Sequence, residues 1–148
     1  MNWAGLSTGT KVLLVGGIIL LVDTFLAWQQ VSAGPFTVSV SGWHGIGVLM
    51  GLLVIALVAW EVLQVAGVTK QIELPVSAVL VSVALAGATA LITIIKFLVA
   101  NEARHWPAWV GLILAVAIAA GGWLKYQESP EAPAQPAAPP APPPAPSV

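Results

Sequence analysis

Apolar positions along this chain run in four long blocks. They cover residues 11–30, 43–65, 76–100 and 107–126. Each block meets the roughly 20 residues that a helix needs to cross a hydrocarbon core. The pattern predicts four transmembrane helices joined by short connections. The segment VSAGPFTVSVSGW between the first two is different, because Phe36 to Ser41 alternates apolar and polar residues. That is the period of a strand, so either a short extended cap or two packed turns is expected over the helices. The connections AGVTKQIELP and ANEARHWP end at Pro75 and Pro107. Both prolines suit the first turn of the helix that follows.

After Glu128 the pattern stops. Proline recurs at positions 130, 133, 136, 139 and 142, one per turn of polyproline II. Such a segment cannot bury a core and is expected to be a stiff, solvated arm. Its PxxP spacing would also suit a partner-docking arm, although the flanking arginine typical of such ligands is absent. The expected fold is all-α: a four-helix transmembrane bundle over residues 1–128 with a disordered proline-rich C-terminal tail over 129–148.

Aromatic residues supply a ruler for the spans. Seventeen residues separate Trp43 from Trp60, Trp106 from Trp123, Trp109 from Tyr126 and Lys11 from Trp28. At about 1.5 Å per residue each interval is roughly 26 Å, near the thickness of a bilayer core. Tryptophan and tyrosine favour the headgroup level, so two aromatic belts are expected, with Trp28 in one of them.

Composition agrees with the pattern. Only 7% of the residues are charged and the mean hydropathy is +0.93, whereas a soluble domain carries roughly 25% charged residues. The formal net charge of −1 offers no basic field for nucleic acid. The chain has no cysteine, which removes disulfides, thiolate metal sites and cysteine nucleophiles. Lys11, Lys70 and Lys125 fall on one side of the predicted threading, and Arg104 with Lys96 on the other. The positive-inside rule then places both termini in the cytoplasm. A competing reading makes residues 12–22 the apolar part of a signal peptide cleaved after VSA at 31–33, but its basic start is poor and apolar sequence continues through FLAW.

Helices in lipid associate through small residues and polar contacts, and each block offers such a stripe. The first carries Gly16, Ile19, Asp23, Ala27 and Gln30, and the second His44, Gly47, Gly51, Val54, Val58 and Glu61. The third carries Ser82, Ala86, Thr89, Thr93, Lys96 and Ala100, and the fourth Gly111, Ala115, Ile118, Gly122 and Lys125. Gly47–Gly51 is a GxxxG pair that would suit self-association. Depth pairs the charges: Asp23 with Lys96 as an intramembrane ion pair near one belt, and Glu61 in a layer with Lys125 and Lys11 near the other. Asp23 is then either a staple that fixes helix orientation or a proton or ion relay.

Other chemistry is sparse. His44, His105 and Glu102 could together offer three ligands to a divalent ion, yet no HxxxH or HExxH spacing supports a metal site. Bis-histidine haem needs ligands at matched depth on facing helices, and His105 lies outside a span. No nucleophile–base pair or phosphate-binding loop is visible, so neither catalysis nor a cofactor is expected. The segments SGWHGIGVLMGLL, IIKFLVANEARHWPAWVGLILA and GGWLKYQE resemble small four-span integral membrane proteins of bacteria that carry no assigned activity. The resemblance covers residues 1–128. It implies a multi-pass protein of the bacterial inner membrane, and it carries over no active site. The expected role is a non-enzymatic scaffold or accessory subunit whose partners are the lipid bilayer and a second copy or another membrane protein. The alternative is a minimal proton- or ion-conducting transporter using Asp23 and Lys96.

Overall fold

The computed structural model describes residues 2–100, 103–130 and 139–147. Four helices form its body: α1 (Thr8–Thr24), α2 (Gly47–Val65), α3 (Ala78–Val99) and α4 (Trp106–Gln127). Of these, α2, α3 and α4 are long and apolar enough to cross a membrane. Between α1 and α2 the chain forms an antiparallel hairpin, β1 (Ala27–Ala33) with β2 (Phe36–Ser41). The expected tail lies partly outside the described residues; residues 139–147 form neither helix nor strand and are exposed.

Helix starts follow local hydrogen-bonding chemistry. Ser7 and Ser77 have extended backbones, and their hydroxyls accept from Thr10 N and Leu80 N, satisfying amide groups that a helix start leaves without partners. Pro75 therefore lies before α3 and not in its first turn, whereas Pro107 does sit at the start of α4. Gly67 ends α2 with φ +77°, the left-handed conformation that glycine adopts without a steric penalty. The amide of α1's Gly9 donates to Glu128 Oε2 at 3.0 Å, which places a carboxylate at the positive end of that helix.

The first helix corrects the expected span 11–30. It stops at Thr24, and AWQQVSA continues as a strand that carries the polar residues Gln29, Gln30 and Ser32. Hairpin register pairs Ala33 with Phe36 across Gly34-Pro35. Gly34 has φ +61°, and Pro35 cannot adopt a positive φ, so the two-residue loop is of type II′ rather than I′. Ala27 pairs with Ser41 but Gln29 pairs with Val40, which leaves Trp28 as the extra residue of a bulge. Bulges re-aim side chains, and this one sends the indole into the end of the helical body. Trp28 is fully buried and so is not part of an aromatic belt. Trp3, Trp106, Trp109 and Trp123 are the broadly exposed tryptophans.

Helix α1 packs along α2 and α4, and α3 packs along the same two, so α1 and α3 face each other diagonally, as do α2 and α4. A heptad register fixes the α1–α4 seam. A Cβ on Gly9 would overlap the Lys125 backbone, one on Gly16 would lie 3.4 Å from the Ile118 side chain, and one on Gly111 would overlap Trp28 and come within 3.1 Å of Asp23 Oδ2. Residues 9, 16 and 23 thus meet 125, 118 and 111 in antiparallel order. Small residues at these steps let the two backbones approach closely.

The interior combines small and polar residues with a core that includes Leu13, Leu20, Met50, Leu57 and Ile118, while many other long apolar side chains face outward. All six residues of the α3 stripe and all five of the α4 stripe are buried. Leu52, Leu91, Ile113 and Val116 are among the exposed apolar residues, with Ile113 69% exposed. The α1 stripe was read in the wrong phase at Ile19, which is 47% exposed, while Leu13 and Leu20 are fully buried. Gly47 and Gly51 are also buried, Gly47 against the Gly42 carbonyl and the Lys96 stem of α3 and Gly51 against the Trp43 ring. That face is already covered within the chain and is not open for self-association.

Gly111→Ala should destabilise the fold by about 1–3 kcal/mol through overpacking against Trp28. Gly87 has open space at its Cβ position, so Gly87→Ala should be neutral or stabilising by up to about 1 kcal/mol. Thermal unfolding of both variants in nanodiscs checks the opposite signs.

Candidate functional site: two buried polar layers

One polar layer lies where α2, α3 and α4 meet. Lys125 Nζ donates to Glu61 Oε2 at 2.6 Å, to Ser82 Oγ at 3.0 Å and to Gln64 Oε1 at 3.1 Å. An ammonium has three N–H donors, so each one has an acceptor. Gln64 Nε2 in turn donates to Ser82 Oγ at 2.7 Å and to Glu61 Oε1 at 3.4 Å. Trp60 Nε1 donates to Ser82 Oγ at 3.2 Å and to the Ala78 carbonyl at 3.3 Å. Glu61 is fully buried, and Lys125 nearly so. Because α2 and α4 are diagonal, the ion pair crosses the helical axis, and Ser82 ties it to α3.

The sequence spacing placed Glu61 and Lys125 in this layer. It missed Gln64 and Trp60, although both flank Glu61 closely enough in helical spacing to share its face. Lys11 does not join them; its Nζ lies 6.0 Å from the centre of the Trp3 ring.

The second layer sits at the opposite end, and here the expected Asp23–Lys96 ion pair does not form. Both carboxylate oxygens of Asp23 are buried without a hydrogen-bond partner. Lys96 Nζ donates to the His44 carbonyl at 2.7 Å. The reason is steric. Trp28 folds in from its bulge, with its ring at Gly111 beside Asp23 and its Nε1 donating to the Asp23 carbonyl at 3.1 Å. Gly42 lies against that indole, and the Gly42 carbonyl lies against Gly47 beside the Lys96 stem. An indole and a loop thus stand between the two charges. Above them Trp43 Nε1 donates to Thr24 Oγ1 at 2.9 Å, which donates to the Leu21 carbonyl.

Between the layers, Thr93 Oγ1 donates to the Thr89 carbonyl at 2.7 Å, and the Thr89 hydroxyl is buried without a partner. From Ser82 to Thr89 the interior is closed by apolar groups including Ala86, Leu57 and Ile118. Ala115, the other helix-packing residue expected on α4, is fully buried.

The loop closing the α3–α4 end is ordered by backbone pairing. Gln30 N donates to Ala103 O and His105 N to Trp28 O, each at 2.9 Å, so residues 103–105 flank β1 on its other edge. Arg104 Nε donates to the Phe97 and Ala100 carbonyls at 3.1 Å and its guanidinium lies 4.2 Å from the Phe97 ring centre, capping the end of α3. Ala103 has φ 59°, an uncommon conformation for a residue with a Cβ. His44 is exposed, whereas His105 is half-buried with Nδ1 lacking a partner; Glu102 lies outside the described residues. Among the described residues no three histidine or carboxylate side chains gather as a metal-binding group.

No protein-family model, no curated protein and no solved structure matches the chain.

Removing one partner of a buried pair leaves the other charge uncompensated, at a cost of about 3–5 kcal/mol. Glu61→Gln and Lys125→Met should each destabilise by that order, and the double variant should recover much of the loss. Unfolding of the three variants in nanodiscs reads this coupling; additive losses would show that the two residues act independently.

Proposed function

We propose that the chain is a non-enzymatic multi-pass membrane protein. In this reading it is a four-helix transmembrane bundle in the bacterial inner membrane, with cytoplasmic termini, acting as a small scaffold or accessory subunit. The observation that carries the reading is the outward-facing apolar surface of helices long enough to cross a membrane, wrapped around an interior that buries small, polar and charged residues beside its apolar core. Lipid tails offer helices no hydrophobic reason to associate, so packing and internal polar contacts must hold them. Helix α1 has 17 residues, or about 26 Å at 1.5 Å each, and its register runs from the end of α4 to its start, which supports a fourth crossing. The Glu61–Lys125 layer supports a structural role because the ammonium has an acceptor for each donor.

One observation favours a second reading, a minimal proton- or ion-conducting transporter using Asp23 and Lys96. The Asp23 carboxylate is 2% exposed and unpartnered, and an intramembrane acid is by default a functional candidate. Against it stands the apolar stretch between Ser82 and Thr89.

Two experiments separate these ideas. The cysteine-free chain allows single-cysteine labelling with a membrane-impermeant maleimide. Ser39→Cys should react in intact cells, while Asn2→Cys, Lys70→Cys and Ser129→Cys should react only after permeabilisation. Labelling of Asn2→Cys together with Ser39→Cys in intact cells would mean that α1 does not cross. In proteoliposomes the scaffold reading expects no proton or cation flux above protein-free vesicles; flux abolished by Asp23→Asn in a folded protein would establish the transporter instead.

A further inference from the structure

We infer that the β1–β2 hairpin is a lipid-contacting element, whose Val31–Phe36–Val38 face lies in the interfacial zone of the leaflet from which it emerges. The inference rests on the membrane reading above and goes beyond it by assigning an occupant to a face that the chain leaves uncovered.

Register divides the hairpin into two unlike faces. Val31 pairs with Val38, Ala33 with Phe36 and Gln29 with Val40, while Ser32 pairs with Thr37 and Gln30 with Ser39. Successive strand residues point to opposite sides, so one face carries Gln29, Val31, Ala33, Phe36, Val38 and Val40, apolar throughout its outer part, and the other Gln30, Ser32, Thr37 and Ser39. Ser32 and Thr37 hydroxyls share a hydrogen bond at 3.2 Å on the polar side. The helical body does not cover the apolar side: Phe36 is 75% exposed and Val38 65%. The body anchors only the base of the hairpin, through Trp28 and the pairing with residues 103–105. A two-stranded hairpin is marginally stable on its own in water, and the open apolar face beyond that base needs a surface.

Three observations identify that surface as lipid. First, the apolar face is continuous in the chain with the outward-facing apolar surface, because β1 begins three residues after α1 ends. Phe25 and Trp106, at the same end of the body, are 66% and 58% exposed. Second, residues 31–43 contain no charge, so nothing holds this face in water. Third, the outer edge of β2 has no strand beside it among the described residues. Its backbone groups then need hydrogen-bond partners that the hydrocarbon core lacks. Headgroups and interfacial water supply them. The interface is the depth that satisfies both the apolar face and the polar edge.

The test uses nitroxide labels at single cysteines introduced at Val31, Phe36 and Val38, at Ser32, Thr37 and Ser39, and at Ile113 as an outward-facing helix reference. Power saturation in nanodiscs compares collision with oxygen, which concentrates in lipid, and with a water-soluble nickel chelate. Oxygen should dominate at residues 31, 36, 38 and 113, and nickel at 32, 37 and 39. Nickel dominance at all six hairpin sites, with oxygen still dominant at 113, would overturn the inference and leave the membrane reading intact. Nickel dominance at 113 would overturn both. Protection of Val38 from both reagents with dipolar broadening between labels would show a second copy covering the face, which also overturns it.

Discussion

A lysine ammonium buried among helices that face outward with leucine, isoleucine and valine constrains everything around it. Lys125 must find three acceptors away from bulk water, since a buried ammonium left without partners is costly. Glu61, Gln64 and Ser82 supply them at 2.6–3.1 Å. Those acceptors come from two helices other than its own, so the rotation of α2, α3 and α4 about their axes is fixed together. Apolar packing alone would leave those rotations weakly specified. The polar layer holds this end of the body in register by hydrogen-bond geometry.

The remaining helix is fixed by shape. The glycines at 9 and 16 in α1 and at 111 in α4 leave room for a backbone, an isoleucine side chain and an indole respectively. Their seven-residue spacing is that of a left-handed helix pair. The two devices share one residue: Lys125 presents its backbone to Gly9 and its ammonium to Glu61. The α1–α4 seam and the polar layer therefore specify the same arrangement.

Much of this could be read from the sequence because lipid exposure leaves a coarse signal. Long apolar blocks gave helices α3 and α4 to within two residues, and the Ser82–Ala100 stripe named a face that is wholly buried. What could not be read depends on the third dimension. The α1 block runs on through Trp28 because FLAW is as apolar as the helix before it; only the pairing of β1 with β2 and with residues 103–105 decides for strand. The Asp23–Lys96 pairing failed for the same reason. Depth along the axis was estimated correctly enough to bring both residues to one end, but depth says nothing about what lies between diagonal helices. A bulge at Trp28 was needed to know that an indole does.

The two layers differ in a way that bears on function. Around Glu61 every donor of the lysine has an acceptor, so no vacancy remains for a ligand, and substitution there should be felt by the fold. Around Asp23 the opposite holds: a buried carboxylate has no partner, and a lysine three residues from the end of α3 takes a loop carbonyl instead. Closed and open polar layers lie at opposite ends, separated by an apolar stretch from Ser82 to Thr89. They make a body whose side chains are fully hydrogen-bonded around Lys125, where α1 begins and α4 ends, and less so at the end that carries the hairpin. Specific behaviour, whether contact with lipid or with another membrane protein, is then expected at the hairpin end. There Trp28 links the hairpin to the helix packing through Gly111 and the Asp23 carbonyl, so a shift of the strands would be felt directly beside the buried, unpartnered Asp23 carboxylate.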